Sequence, residues 1–261
     1  MIYKNEIPFL ITTFDDRYFL VDNLLKDINN LFSHSLVFLA SEQQEYESNY
    51  KNIKFTHLKY PERDRTHNRK NECQSWGYRL FNSLKYLKEK GHEYVVWLCD
   101  DTRISEVNYD YNLKEVMDKH KIDKLHLSNI STRIYQLENF DDELKRIAPT
   151  SQYYSSHQIS CWNINSLLEI TRINDTAGRH EGQSAERARE KNMLFTCNQP
   201  AIYHACNNYT EYNGGWGLQN EEEIRAWIER LKDHENFNKP KGKFTYNGTT
   251  FDGDGYKILE H

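Results

Sequence analysis

The 261-residue sequence predicts a mixed α/β fold: a mostly parallel central sheet flanked by helices, followed by a less regular C-terminal half. Three observations carry this. Through residues 7–127, apolar runs of strand length alternate with segments of helical periodicity. One run, Tyr94-Val95-Val96-Trp97-Leu98-Cys99, is apolar without interruption, as a strand buried on both faces has to be. Aromatic residues make up 13% of the chain (18 Tyr, 12 Phe, 5 Trp), which supplies ring surface for a core although only 38% of residues are hydrophobic.

The elements follow in order. Residues 7–13 form a strand ending in the polar pair Thr12-Thr13. Residues 18–32 carry Phe19, Leu20, Leu24, Leu25, Ile28 and Leu31 at helical spacing, with Asp15 or Asp16 as N-cap. Strands follow at 35–40 and 53–58. A basic stretch, 63–69, leads into a helix with Trp76, Leu80, Leu84 and Leu87 on one face, stopped by Gly91. The strand at 94–99 ends abruptly in Asp100-Asp101. A helix at 113–120 and a strand at 124–127 complete an alternation that implies parallel pairing. In the second half, 133–147 reads as a hairpin around Asn139-Phe140-Asp141-Asp142. Residues 156–162 and 201–205 read as strands, and 164–171, 183–192 and 221–234 as helices. Tyr246-Asn247-Gly248-Thr249 is a hairpin turn. No linker or repeat divides the chain, so residues 1–258 are expected to form one domain. Leu259-Glu260-His261 looks like the start of a vector-encoded histidine tag and is set apart.

Composition excludes several classes of function. Against 34 Lys plus Arg stand 39 Asp plus Glu, and a net charge of −5 argues against a nucleic-acid partner. No apolar run approaches the roughly 18 residues a membrane span needs, and the polar N-terminus has no signal-peptide core. The five cysteines are odd in number and form no CxxC pair, so a cytoplasmic protein without disulfides is expected.

The chemistry concentrates at Asp100-Asp101. A buried strand ending in two carboxylates places them at the carboxyl edge of the sheet, where open α/β sheets bind ligands. Adjacent carboxylates repel unless a cation sits beside them. A hard divalent ion (Mn2+ or Mg2+) held by one or two carboxylates and diphosphate oxygens meets that need. The competing reading is a pair of solvated turn acids. His157, His180 and His204 are scattered, and no spacing brings two onto one face, so they define no metal site. Asp252-Gly253-Asp254-Gly255 lacks the remaining ligands of a calcium loop and reads as a turn.

The segment Trp76-Gly77-Tyr78-Arg79-Leu80, then Leu84-Lys85-Tyr86-Leu87, then the strand ending in Asp100-Asp101 resembles a group of bacterial GT-A glycosyltransferases. Gln158-Ile159-Ser160-Cys161-Trp162-Asn163 is similar to that group's Q-x-x-x-W segment on the acceptor side. Arg179-His180-Glu181-Gly182-Gln183-Ser184-Ala185-Glu186 is similar to its downstream acidic motif, and Ile202-Tyr203-His204-Ala205 with Gly214-Gly215-Trp216 to its closing segment. The ordered set covers roughly residues 7–217. Two departures stand out. The acidic motif is Asp100-Asp101-Thr102-Arg103, without a third-position Asp, and Ala177-Gly178-Arg179-His180 replaces the aromatic-proline pair before Glu181.

The resemblance implies a GT-A-like, Rossmann-related fold and a nucleotide diphosphate sugar as donor, bound by a half at about 1–130. The half at about 131–258 would take a glycan or lipid-linked acceptor hydroxyl. On that basis Thr12, Thr13, Asp15 and Arg17 line the donor pocket, with Asp15 toward base or ribose and Arg17 toward the diphosphate. Asp15 as a helix cap is the equal alternative. Glu42, at the end of the second strand, joins them, as do Trp76 and Arg79. Arg65 and Arg69 face the leaving group, against the alternative of a solvated basic loop. Asp100 and Asp101 hold the metal, and Asp101 shares in catalysis. Gln158, Trp162 and Trp216 contact the acceptor, with core packing as the other fate of each Trp. Glu181, expected on the loop before the 183–192 helix, is the candidate general base, with Glu186 and Asp175 as fallbacks. Its alternative role is partner to that helix's dipole. The rival function is a nucleotide-binding or nucleotidyl-transferring protein, which would show a Gly-rich basic turn after the first strand. Thr12-Thr13-Phe14-Asp15-Asp16-Arg17 has no Gly. A carbohydrate-binding module is disfavoured by the parallel-sheet pattern.

Overall fold

The computed structural model describes residues 3–4, 6–15, 18–61, 74–108, 112–128, 135–198, 201–207, 244–246 and 249–251. Arg17, Arg65, Arg69 and Trp216, the expected helix at 221–234 and the turn at 252–255 lie outside the described residues. The chain opens with β1 (Tyr3–Lys4), β2 (Phe9–Thr12), α1 (Tyr18–Leu31), β3 (Phe32–Ser33), β4 (Ser35–Ser41) and β5 (Ile53–Lys59). It continues through α2 (Gln74–Glu89), β6 (Tyr94–Cys99), β7 (Thr102–Val107), α3 (Leu113–His120) and β8 (Lys124–His126). Then come β9 (Leu137–Asn139), β10 (Leu144–Ile147), β11 (Ser160–Asn163), α4 (Ile164–Ile170) and α5 (Ala177–Glu190). The last elements are β12 (Phe195–Asn198), β13 (Tyr203–Asn207), β14 (Phe244–Tyr246) and β15 (Thr249–Phe251).

Nine strands make one sheet in the order β5-β4-β2-β6-β11-β8-β12-β10-β9. The first four are parallel neighbours. β11 is antiparallel to β6 and β8, and β10 is antiparallel to β12 and β9, so all strands but these two share one direction. The expected mixed, mostly parallel α/β sheet is therefore present.

Strand periodicity explains the two layers. Phe9, Ile11, Val37, Leu39, Val96 and Leu98 face one side, in one core with Leu24, Leu25 and Ile28 of α1 and Met117 of α3. Leu10, Phe38, Val95 and Trp97 face the other, in a second core with Leu80, Leu84 and Leu87 of α2, Leu167 of α4 and Ala188 of α5. β6 is thus buried on both faces, which is why its sequence is continuously apolar. Gly91, at φ +86°, follows α2 where a stop was expected. At Gly77, the 172–175 turn rides directly on α2. The Gly77 N–H donates to the Asp175 carbonyl at 3.0 Å.

Several expectations need correction. α5 begins at Ala177, six residues before the expected start, because the Thr176 side chain caps it by accepting from Arg179 N at 2.8 Å. The Asp15 carboxylate is engaged by Glu42 N, Gln44 N and the Tyr18 hydroxyl, and Asp16, the other expected cap of α1, lies outside the described residues. The chain after Asp100-Asp101 continues as β7, paired antiparallel with β13. β12 was also unexpected, since its four residues are too few to show a period. The hairpin within 133–147 forms as β9 and β10, and β14 pairs with β15 with Tyr246 opposite Thr249. Cys99, Cys161 and Cys197 are free thiols. No helix among the described residues is long and apolar enough to cross a membrane.

Candidate functional site

The chain order of the sheet reverses at β2: β4 and β5 extend to one side, and β6 lies on the other. Open α/β sheets bind ligands outside the carboxyl ends of the strands at such a point. Here Thr13 Oγ1 donates to Asp100 Oδ2 at 2.5 Å, which ties the end of β2 to the end of β6 across the reversal. Trp97 Nε1 donates to Thr12 Oγ1 at 3.3 Å beneath it. Asp100 is only 3% exposed, while Asp101 is half-buried.

A second corner forms where β4 ends. The Asp15 carboxylate accepts from Glu42 N at 2.9 Å, Gln44 N at 2.6 Å and the Tyr18 hydroxyl at 2.8 Å. Glu42 reciprocates, its Oε2 accepting from Asp15 N at 3.3 Å. Three of the roughly four acceptor positions of Asp15 are thus engaged within the protein. Ser41 Oγ lies 2.6 Å from both Tyr18 Oη and His57 Nε2. Burial raises the Tyr18 phenol above its ordinary value and lowers the His57 imidazole. The Arg79 guanidinium, 1% exposed, lies 4.0 Å from the Phe14 ring, so α2 braces the loop after β2.

The reversed direction of β11 brings a distant segment to the same edge. Ser160 pairs with Trp97, so the residues leading into β11 approach the carboxyl end of β6. The Cys99 thiol reaches the His157 carbonyl at 3.9 Å. The His157 ring stacks on Trp76 at 5.0 Å and lies 5.0 Å from Trp97. Glu181 is brought to this segment, its Oε1 accepting from His157 N at 3.2 Å. It sits inside α5, more than a turn past the Thr176 cap, and not on a preceding loop. A dipole role fades within the first turn, so that alternative loses its basis. Gln158 is exposed beside His157.

Trp162 requires a correction. It is 0% exposed and packed against Phe195 at 5.2 Å, so no sugar face can reach it and the ring belongs to the core. The fallback bases separate as well. Asp175 is buried in a bidentate pair with Arg187 at 2.6 and 3.0 Å, and Glu186 is exposed on α5.

Sequence reasoning named His157 and His180 but set them apart as scattered, and it missed Lys124. Thr171 Oγ1 donates to the Leu167 carbonyl and so accepts from His180 Nε2 at 3.0 Å. His180 Nδ1 is then free of a proton and accepts from His157 Nε2 at 3.0 Å, which fixes both tautomers. Burial holds both imidazoles neutral: His180 is pushed down to about 3 and His157 well below its ordinary value. No spacing signal joins positions 157 and 180, since a loop and a helix meet only in the fold. Lys124 had only one sign, a cation inside a strand.

Among the described residues, no group of three or more His, Cys, Asp or Glu side chains is placed to hold a metal. Asp100, nearly buried and bonded to Thr13, and Asp101, half-buried, stand next to each other at the end of β6. They do not form an all-protein cage.

No family model and no curated protein matches the chain. Among solved structures, the chain is similar to a UDP-glucose pyrophosphorylase complexed with UDP-glucose, at 8% identity and a TM-score of 0.43, covering 79% of this chain and 92% of that one. HddC from Yersinia pseudotuberculosis aligns at 11% identity and a TM-score of 0.40, over 75% of this chain and 89% of its own. TarS of S. aureus aligns at 14% identity and a TM-score of 0.40, over 92% of this chain and 44% of its own. These likenesses are loose, and function rests on the site.

Proposed function

We propose that this chain is a cytoplasmic glycosyltransferase that moves a sugar from a nucleotide diphosphate sugar to a hydroxyl of a glycan or lipid-linked acceptor. The observation that carries the reading is the Thr13–Asp100 bond, which sets the acidic pair at the reversal point of the sheet. Thr12, Thr13, Asp15 and Glu42 shape the corner for base and ribose, Arg79 supports it from α2 through the Phe14 ring, and Trp76 packs on His157 at the end of β6. Asp100 and Asp101 would hold a divalent ion, Mn2+ or Mg2+, which when bound neutralises charge on the donor diphosphate.

Glu181 is the general base. As the acceptor oxygen bonds to the anomeric carbon and the bond to the diphosphate breaks, its carboxylate takes the acceptor proton. Gln158 orients the acceptor at the same edge. Nucleotidyl transfer is disfavoured because Thr12-Thr13-Phe14-Asp15 offers no glycine turn to wrap a triphosphate.

A panel of nucleotide sugars, each with and without Mn2+, tests this by melting temperature and by product. A true donor at 100 times its Kd stabilises the fold by about 2.7 kcal/mol, and an acceptor then releases nucleoside diphosphate. Nucleoside triphosphate formed with pyrophosphate, or no stabilisation by any donor, overturns the proposal.

A further inference from the structure

The Ser156–His157 peptide group is held at both of its polar ends. Lys124 Nζ donates to its carbonyl, Ser156 O, at 2.8 Å. Its N–H, on His157, donates to Glu181 Oε1 at 3.2 Å. A cation therefore sits at the negative end of one peptide dipole and a carboxylate at the positive end. Lys124 is 0% exposed, and its ammonium lies 4.9 Å from the Trp162 ring and 5.6 Å from the Phe195 ring. A buried cation needs such compensation. The surroundings make the peptide a rigid connector. Tyr154 donates to Met193 O at 2.6 Å, and Ser184 donates to Ser155 at 2.9 Å, so the segment is pinned to α5 and to the residues after it.

We propose that Lys124 is a positioning residue for Glu181, fixing the place and the charge environment of that carboxylate through the peptide joining Ser156 to His157. The role of Glu181 as base rests on the function proposed above; the bridge rests on the two hydrogen bonds. Polarising the carbonyl strengthens the N–H as donor, so the Lys124 charge is felt at Glu181 although the two side chains are joined only through backbone. Burial pushes Lys124 down to about 7, while Glu181 acts in the opposite sense. The other titratable groups facing this bridge are His126 on β8, His157, His180 on α5 and Tyr135.

The test is a pH titration of the full-length, isotope-labelled chain by NMR, with no ligand present. The Lys124 Nζ midpoint should reappear as an inflection in the His157 amide nitrogen. In Glu181→Gln, the Lys124 midpoint should fall by about one unit, because the stabilising anion is gone. A His157 amide whose inflections ignore Lys124, or a Lys124 midpoint unmoved in Glu181→Gln, overturns the proposal. The wild-type titration decides alone if the variant does not fold. Because no nucleotide sugar is used, its failure leaves the assignment of glycosyl transfer standing. Coupled midpoints in a chain that transfers no sugar uphold the bridge and remove only that assignment.

Discussion

Replacing Gly77 with alanine reverses the usual sign of a helical Gly→Ala change. At an open helical position the substitution gains about 1 kcal/mol. Here a Cβ would stand 2.4 Å from Arg172 O, 2.7 Å from Asp175 O and 2.9 Å from Asp175 N. All three are backbone atoms, so no rotamer change relieves the clash. Ordinary contact at about 3.5 Å requires the 172–175 turn to retreat by about 1 Å. That retreat strains the Gly77–Asp175 hydrogen bond and the buried Asp175–Arg187 pair. Overpacking costs about 1–3 kcal/mol. With the added loss of hydrogen-bond geometry, the net effect of Gly77→Ala should be about 2 kcal/mol destabilising. For a chain of this length that lowers Tm by about 4–8 °C. Urea denaturation followed by Trp fluorescence checks it, with the midpoint falling at unchanged slope. Trp76 adjoins Gly77 and stacks on His157, so its emission also reports whether the candidate site shifts. A variant as stable as the parent, or more so, would refute the close approach of turn and helix.

Further expectations concern the site. Glu181→Gln should cut turnover by about 10²–10⁴-fold and leave donor affinity nearly unchanged, since the lost proton transfer belongs to the transition state; equal turnover would remove Glu181 as base. Asp101→Ala should weaken nucleotide-sugar binding to the same degree as a chelator does in the parent, measured by calorimetry, and chelator sensitivity surviving in the variant would move the metal elsewhere. Lys124 makes stability depend on pH. It titrates at about 7 in the fold against an ordinary 10.5. Below about 7 both states hold the proton and the cost of burying the charge is fully present. Between there and the unfolded value only the unfolded chain holds it, so stability rises with pH, by at most ~1.4 kcal/mol per unit. The difference from Lys124→Met in urea midpoints should follow that rise, and a flat difference would show that the lysine keeps its charge.

Features that depend on near neighbours could be read from the chain alone. Helical spacing in 18–32 and 74–89, the apolar run of β6, its acidic end and the 137–147 hairpin were all legible, because each is decided within a few residues by periodicity or turn chemistry. So was the carboxyl edge as the place for Thr13, Glu42 and Asp100, since parallel strands end together. The start of α5 was not legible, because its cap depends on the backbone geometry of Thr176. Local propensity had nothing to say about Trp162, whose fate depends on Phe195 and Lys124. The direction of β11 emerges only in the folded chain. That one antiparallel insertion carries His157 to the end of β6 and lets residues 124, 157 and 181 share a single peptide group. Contacts between positions so far apart leave no period in a sequence, because the strand register that creates them is set by the whole core and not by the residues that meet.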